Sequence, residues 1–145
     1  MVFTQKETDL LTDLKEQEEL CIQKYGKYAN SACDGELKNL FVSIRNTEQQ
    51  HLNTINGFLG GAPNNNPLLN SNDTCADGNC DGGPQNDKYL CQDALSGEKH
   101  VSSLYDTCIF EFSDINVRNT LNHIQKEEQQ HGEKIYSYMS RHSMY

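Results

Sequence analysis

Long apolar runs are missing from this 145-residue chain. No stretch approaches the ~20 residues that a membrane span needs, so no transmembrane helix is predicted. The segment from Met1 to Lys15 lacks a basic region followed by an apolar one, so no signal peptide is expected. Positive charge is scarce: 12 Lys and Arg stand against 21 Asp and Glu, a net charge of -9. That balance argues against nucleic acid and anionic membrane surfaces as partners. Proline is scarce as well, and all three prolines lie between Pro63 and Pro84. Hydrophobic residues make up only 35% of the chain and the mean hydropathy is -0.77, in part because of one polar segment. The length still suffices for one domain that buries its own core.

The polar segment is 60–86. It opens with Gly60-Gly61-Ala62-Pro63-Asn64-Asn65-Asn66-Pro67, closes with Asp81-Gly82-Gly83-Pro84, and contains no Lys, Arg, Glu or aromatic residue. By composition it is a loop. Cys75 and Cys80 within it are spaced more widely than a zinc knuckle, and no second pair in similar context completes one. Asp73, Asp77 and Asp81 resemble part of a calcium loop, but Cys75 sits where a ligand belongs and no Glu closes the site. A solvated loop is the expectation for both. The remaining cysteines include Cys21 and Cys108 on apolar helix faces, read as small core residues.

On either side of the loop each arm reads as two helices, over approximately 4–31 and 34–59, then 87–112 and 114–141. The inward stripes are Leu11, Leu14, Glu18, Cys21, Tyr25, Tyr28, Ala32; Leu37, Phe41, Ile44, Glu48, His51, Ile55, Phe58; Cys91, Ala94, Glu98, Val101, Tyr105, Cys108, Phe112; and Val117, Leu121, Ile124, Glu128, His131, Ile135, Tyr138. Their spacings alternate between three and four, as on the buried face of a bundle helix. Asp34 and Asp114 stand at the N-cap positions of the second and fourth helices. Short links make each pair antiparallel neighbours. A helix of ~26 residues is roughly 39 Å long, and a loop of about 27 residues can reach roughly 90 Å, so a lengthwise crossover is easy. The predicted fold is all-α: a ferritin-like four-helix bundle of two antiparallel hairpins joined by a long crossover loop.

The stripes carry a repeated pattern. Glu18 is followed downstream by Glu48-Gln49-Gln50-His51, and at the same separation Glu98 is followed by Glu128-Gln129-Gln130-His131. Laying Glu18 on Glu98 superposes the two sets with no gap and brings Tyr25 onto Tyr105. The stripes hold no Lys or Arg. Four ionised carboxylates in a bundle core without cations would each cost several kcal/mol. Two divalent cations would balance them. One Glu from each of two helices plus Glu-x-x-His from each of the others is the ligand set of dimetal carboxylate bundles. Glu18 and His51 are expected as terminal ligands of one metal, Glu98 and His131 of the other, with Glu48 and Glu128 bridging. Oxygen-rich ligation with one imidazole per metal suits iron or manganese. Tyr25 and Tyr105 can each reach a ligating carboxylate of the opposite half, or else are core tyrosines with backbone partners. The plain alternative for the motif is a Glu-rich solvated helix face. His100, His123 and His142 fall off the stripes and are expected on the surface.

The chain also resembles the spore coat protein F family of the Clostridium and Bacillus lineages. The resemblance is carried by Asp87-Lys88-Tyr89-Leu90-Cys91, Glu98-Lys99-His100-Val101-Ser102-Ser103, Asn122-His123-Ile124-Gln125-Lys126-Glu127-Glu128-Gln129-Gln130-His131-Gly132-Glu133 and Ser143-Met144-Tyr145. It implies a ferritin-like fold, synthesis in the mother-cell cytoplasm, a place in the spore coat, other coat proteins as partners, and self-association. The metal pattern is similar to that of rubrerythrins in its Glu-to-Tyr spacing of seven and its Ser96-Gly97-Glu98 context. It departs from them at Val101, where an additional carboxylate often stands, and in lacking paired C-x2-C motifs after the bundle. Three readings stay open: a spore coat component with a dinuclear iron or manganese site, a dimetal oxidoreductase acting on ferrous iron or peroxide, and a purely structural bundle with an empty site.

Overall fold

The computed structural model describes residues 2–61 and 82–145. Among these, the only regular elements are four helices: α1 (Gln5–Ser31), α2 (Gly35–Phe58), α3 (Gly83–Ile109) and α4 (Ile115–Arg141). None is long and apolar enough to cross a membrane. They pack as a bundle, with α1 against α2, α3 against α4, α1 against α3 and α2 against α4.

Local chemistry sets the helix starts. Thr4 Oγ1 accepts from the Glu7 N–H at 3.1 Å, and Glu7 Oε1 accepts from the Thr4 N–H at 2.9 Å. This reciprocal cap satisfies two donors that the first turn leaves without helical partners. Asp114 caps α4 by accepting from the N–H groups of Asn116 and Val117 at 2.8 and 3.1 Å. Asp34 holds the N-cap position of α2, yet its side chain does not cap. Its Oδ2 accepts from the Tyr138 hydroxyl at 2.7 Å instead. The stop after α2 uses Gly60, whose φ of +79° suits a residue without Cβ.

Helix α3 differs in its bounds from the 87–112 expected. It starts at Gly83, because Pro84 lies in its first turn, where a missing N–H costs nothing. It ends at Ile109, and tighter bonds from Glu111 N–H to Cys108 O (2.9 Å) and Phe112 N–H to Ile109 O (3.4 Å) turn the chain out of the helix. Phe112 is nonetheless buried, because the turn folds it back against Phe3 with ring centroids 5.9 Å apart.

The expected stripes are the core. Every stripe residue is buried except Phe58, which is partly buried and meets Phe3 edge to face at 6.2 Å. The end of the bundle where Phe3, Phe58 and Phe112 meet is closed by apolar rings. At the other end the closure is polar. The buried Asp87 carboxylate accepts from the N–H groups of Cys33 and Asp34 at 2.8 and 3.1 Å, and the Asn86 amide donates to Ser31 O at 3.0 Å. Asp87 therefore satisfies backbone donors of the α1–α2 link from the first turns of α3. Cys75, Cys80, Asp73, Asp77 and Asp81 lie outside the described residues.

Candidate metal centre

Midway along the bundle, all four helices contribute acids or imidazoles to one buried cluster. Glu18 comes from α1, Glu48 and His51 from α2, Glu98 from α3, and Glu128 and His131 from α4. All six are buried, with Glu18, Glu48 and Glu128 fully so. Each side chain is there because the three-four spacing that turns its apolar neighbours inward turns it inward as well.

Their potential ligand atoms form two overlapping groups. One holds Glu18, Glu48, His51 and Glu128; the other holds Glu48, Glu98, Glu128 and His131. Within each group the atoms lie within 4.8 Å of one another. Glu48 and Glu128 belong to both. His51 Nδ1 faces Glu48 Oε2 at 3.2 Å and Glu128 Oε1 at 3.0 Å. His131 Nδ1 faces Glu48 Oε1 at 3.0 Å, Glu98 Oε1 at 3.4 Å and Glu128 Oε2 at 3.5 Å. The two imidazoles face each other with centroids 6.0 Å apart and planes 29° from parallel.

The tyrosines tie the halves together. Tyr25 donates its hydroxyl to Glu98 Oε1 and Tyr105 donates to Glu18 Oε1, each at 2.5 Å. Each bond crosses from one half of the repeat to the other. Both phenols are pushed up, first by burial and then by the charge of the carboxylate they face, so they remain donors.

Burial also sets the protonation of the cluster. Glu18 is raised well above the usual carboxylate range by burial and then by Glu48. Glu98 is pushed up to about 9, again by burial first and then by its contact with Glu128. Glu128 goes the other way: burial opposes its charge, but Glu98, His131 and His51 together hold it well below the usual range. Burial opposes the charged forms of His51 and His131 too. Their bonds to Glu128 and Glu48 outweigh it, and they rise to about 10 and about 12.

Each of the two ligand groups could hold a cation. Glu18 Oε2, Glu98 Oε2 and Glu128 Oε2 are buried and accept no well-formed hydrogen bond, although Glu128 Oε2 lies 3.5 Å from His131 Nδ1. Buried polar atoms are seldom left so, and unaccounted oxygens from three carboxylates in one cluster suit a bound ion. Carboxylates with one imidazole per group are hard donors of the kind iron and manganese accept. Two such ions would supply Lewis acidity and, for either metal, redox capacity.

One residue outside the pattern also reaches the cluster. Glu127 Oε1 lies 3.2 Å from His51 Nε2 and 3.0 Å from His123 Nε2. Sequence reading missed it because it neighbours Glu128 and belongs to no stripe. His100 and His123 are exposed, and the exposed His142 lies 3.4 Å from Glu36 Oε2. Cys21, Cys91 and Cys108 are buried thiols raised by burial, to about 12 for Cys91 and about 11 for Cys108, and so are poor nucleophiles near neutral pH.

A small cavity of about 160 Å³ opens between α1 and α3, lined in part by Cys21, Lys24 and Gly97. The same three residues also line a smaller space that reaches Tyr25 and Glu98.

Comparison with known families adds one finding. Residues 86–145 match the Coat F domain. The match covers most of α3 and all of α4, with Glu98, Tyr105, Glu128 and His131; α1 and α2 lie outside it. It is the family that the sequence resemblance pointed to. No curated protein matches the chain.

Proposed function

We propose that the chain is a spore coat component built on a ferritin-like bundle whose core holds a dinuclear iron or manganese centre. The coat assignment is supported by the Coat F match over the second arm. It carries with it the expectation of other coat proteins and further copies of this chain as partners. The observation that carries the metal reading is the pair of overlapping ligand groups sharing Glu48 and Glu128 around unpartnered carboxylate oxygens. In this reading Glu18 and His51 hold one ion, Glu98 and His131 the other, and Glu48 and Glu128 bridge. Tyr25 and Tyr105 orient Glu98 and Glu18. The ferritin-like connectivity is supported by the meeting of Phe3, Phe58 and Phe112 at one end of the bundle and of Asp87 with the α1–α2 link at the other. In this reading the end of α2 and the start of α3 lie at opposite ends of the bundle, as a lengthwise crossover requires.

The test is elemental quantification by mass spectrometry of protein purified from sporulating cells. About two iron or manganese ions per chain, falling when Glu48 is replaced by Ala, is the expected result. Metal-free protein that takes up neither ion would leave a purely structural bundle. A second reading, a dimetal oxidoreductase, is favoured by the space between α1 and α3 that reaches Glu98. That space is small, about 10 Å³, close to the room one water molecule needs. Ferrous-oxidation and peroxide-consumption assays on metal-loaded protein separate this reading from a coat protein whose metal is structural.

A further inference from the structure

The ligands repeat in one register, but their surroundings do not. His51 turns Nδ1 toward the cluster and Nε2 toward Glu127 Oε1 at 3.2 Å. Glu127 is partly exposed, and the same oxygen faces His123, itself on the surface, at 3.0 Å. In the register that lays Glu128 on Glu48, Glu127 and His123 fall on Thr47 and Ser43. The Thr47 hydroxyl donates to the Ser43 carbonyl of its own helix at 3.2 Å. Among the described residues, the carboxylate contacts of His131 all run through Nδ1.

An imidazole that ligates through one nitrogen and donates the N–H of the other to a carboxylate has a fixed tautomer and ring orientation. It is also a more basic ligand, and losing such a partner typically weakens metal binding about 10–100-fold. His51 has this partner, and among the described residues His131 has no carboxylate at Nε2. We infer that the two metal positions are unequal, with Glu127 as a positioning residue that makes the His51 position the tighter and first filled. The inference rests on the metal reading above and adds the order of loading to it. Nothing in the repeated ligand pattern separates the two positions, since both contain one imidazole, one terminal carboxylate and the same two bridging acids.

The test is calorimetric titration of chelator-treated full-length protein with Mn(II), comparing the parent with Glu127→Ala and Glu127→Gln. The parent should bind two ions in resolved steps about 10–100-fold apart. Glu127→Ala should weaken the tighter step by about that factor and leave the looser one in place. Glu127→Gln, which keeps a neutral acceptor, should fall between them. A merely structural surface role for Glu127, pairing with His123, would move neither step. Circular dichroism of each variant checks that the bundle is intact. Two ions bound in a single step that Glu127→Ala leaves unchanged, or a loss confined to the looser step, overturns this inference alone. No Mn(II) uptake by the parent overturns it together with the metal reading.

Discussion

Stability of the metal-free protein should fall as pH rises, and the cluster sets the size of the effect. Glu98 is raised to about 9 and Glu18 is raised as well, whereas an unfolded glutamate titrates near about 4.3. A group raised on folding holds its proton longer in the native state. Its stabilising contribution is full below the unfolded value and is lost as pH climbs through the folded one. His51 and His131, at about 10 and about 12, act in the same direction once pH passes about 6.5. Glu128 acts oppositely, but its contribution is lost only as pH falls through a value well below the usual range, outside the window from about pH 5 to about pH 8. Even one net extra proton held by the native state over about three pH units amounts to about 4 kcal/mol, and Glu18 and Glu98 are both raised. A domain has only roughly 5–15 kcal/mol in total, so this is a large fraction. At a urea dependence of about 2 kcal/mol per molar, the midpoint should drop by at least about 2 M between about pH 5 and about pH 8 in chelator. Metal-loaded protein should show a flat or reversed profile, because ions bind the deprotonated ligands and bind better as pH rises. Urea melts at several pH values, with and without chelator, measure both. Superimposable profiles would refute the reasoning, since the six residues would then not be a shared metal site.

Other consequences can be checked on single variants. Replacing Glu48 or Glu128 by Ala should reduce bound metal more than replacing Glu18 or Glu98, since the shared residues serve both ligand groups; equal losses in elemental quantification would remove the bridging assignment. Tyr105→Phe deletes the donor to the buried Glu18 Oε1 and should cost about 1–3 kcal/mol in denaturant melts of the apo protein. Asp87→Ala leaves the Cys33 and Asp34 N–H groups without their carboxylate acceptor and should cost about 1.5–3 kcal/mol, with metal content unchanged. Phe3→Ala opens the apolar end of the bundle and should cost about 1–3 kcal/mol, less than for a fully buried ring because Phe3 is partly exposed.

What the sequence determined by itself was the inward face of each helix. Periodicity is a local property: a side chain three or four positions from a buried Leu or Ile points the same way whatever lies opposite. That is why the stripes, with Glu18, Glu48, His51, Glu98, Glu128 and His131 among them, could be named before any contact was known. The gapless register between the two halves then made two weak motifs into one constellation. Contacts between helices were decided only by the tertiary structure. The Asp34 carboxylate turned from its own helix to the Tyr138 hydroxyl, and Asp87 was recruited to the backbone of the α1–α2 link. Glu127, on no stripe, reached His51 across the bundle, while its counterpart Thr47 stayed with its own helix. Such pairings depend on how far each helix is rotated and slid along its neighbour, and the spacing of residues along one chain segment does not encode that.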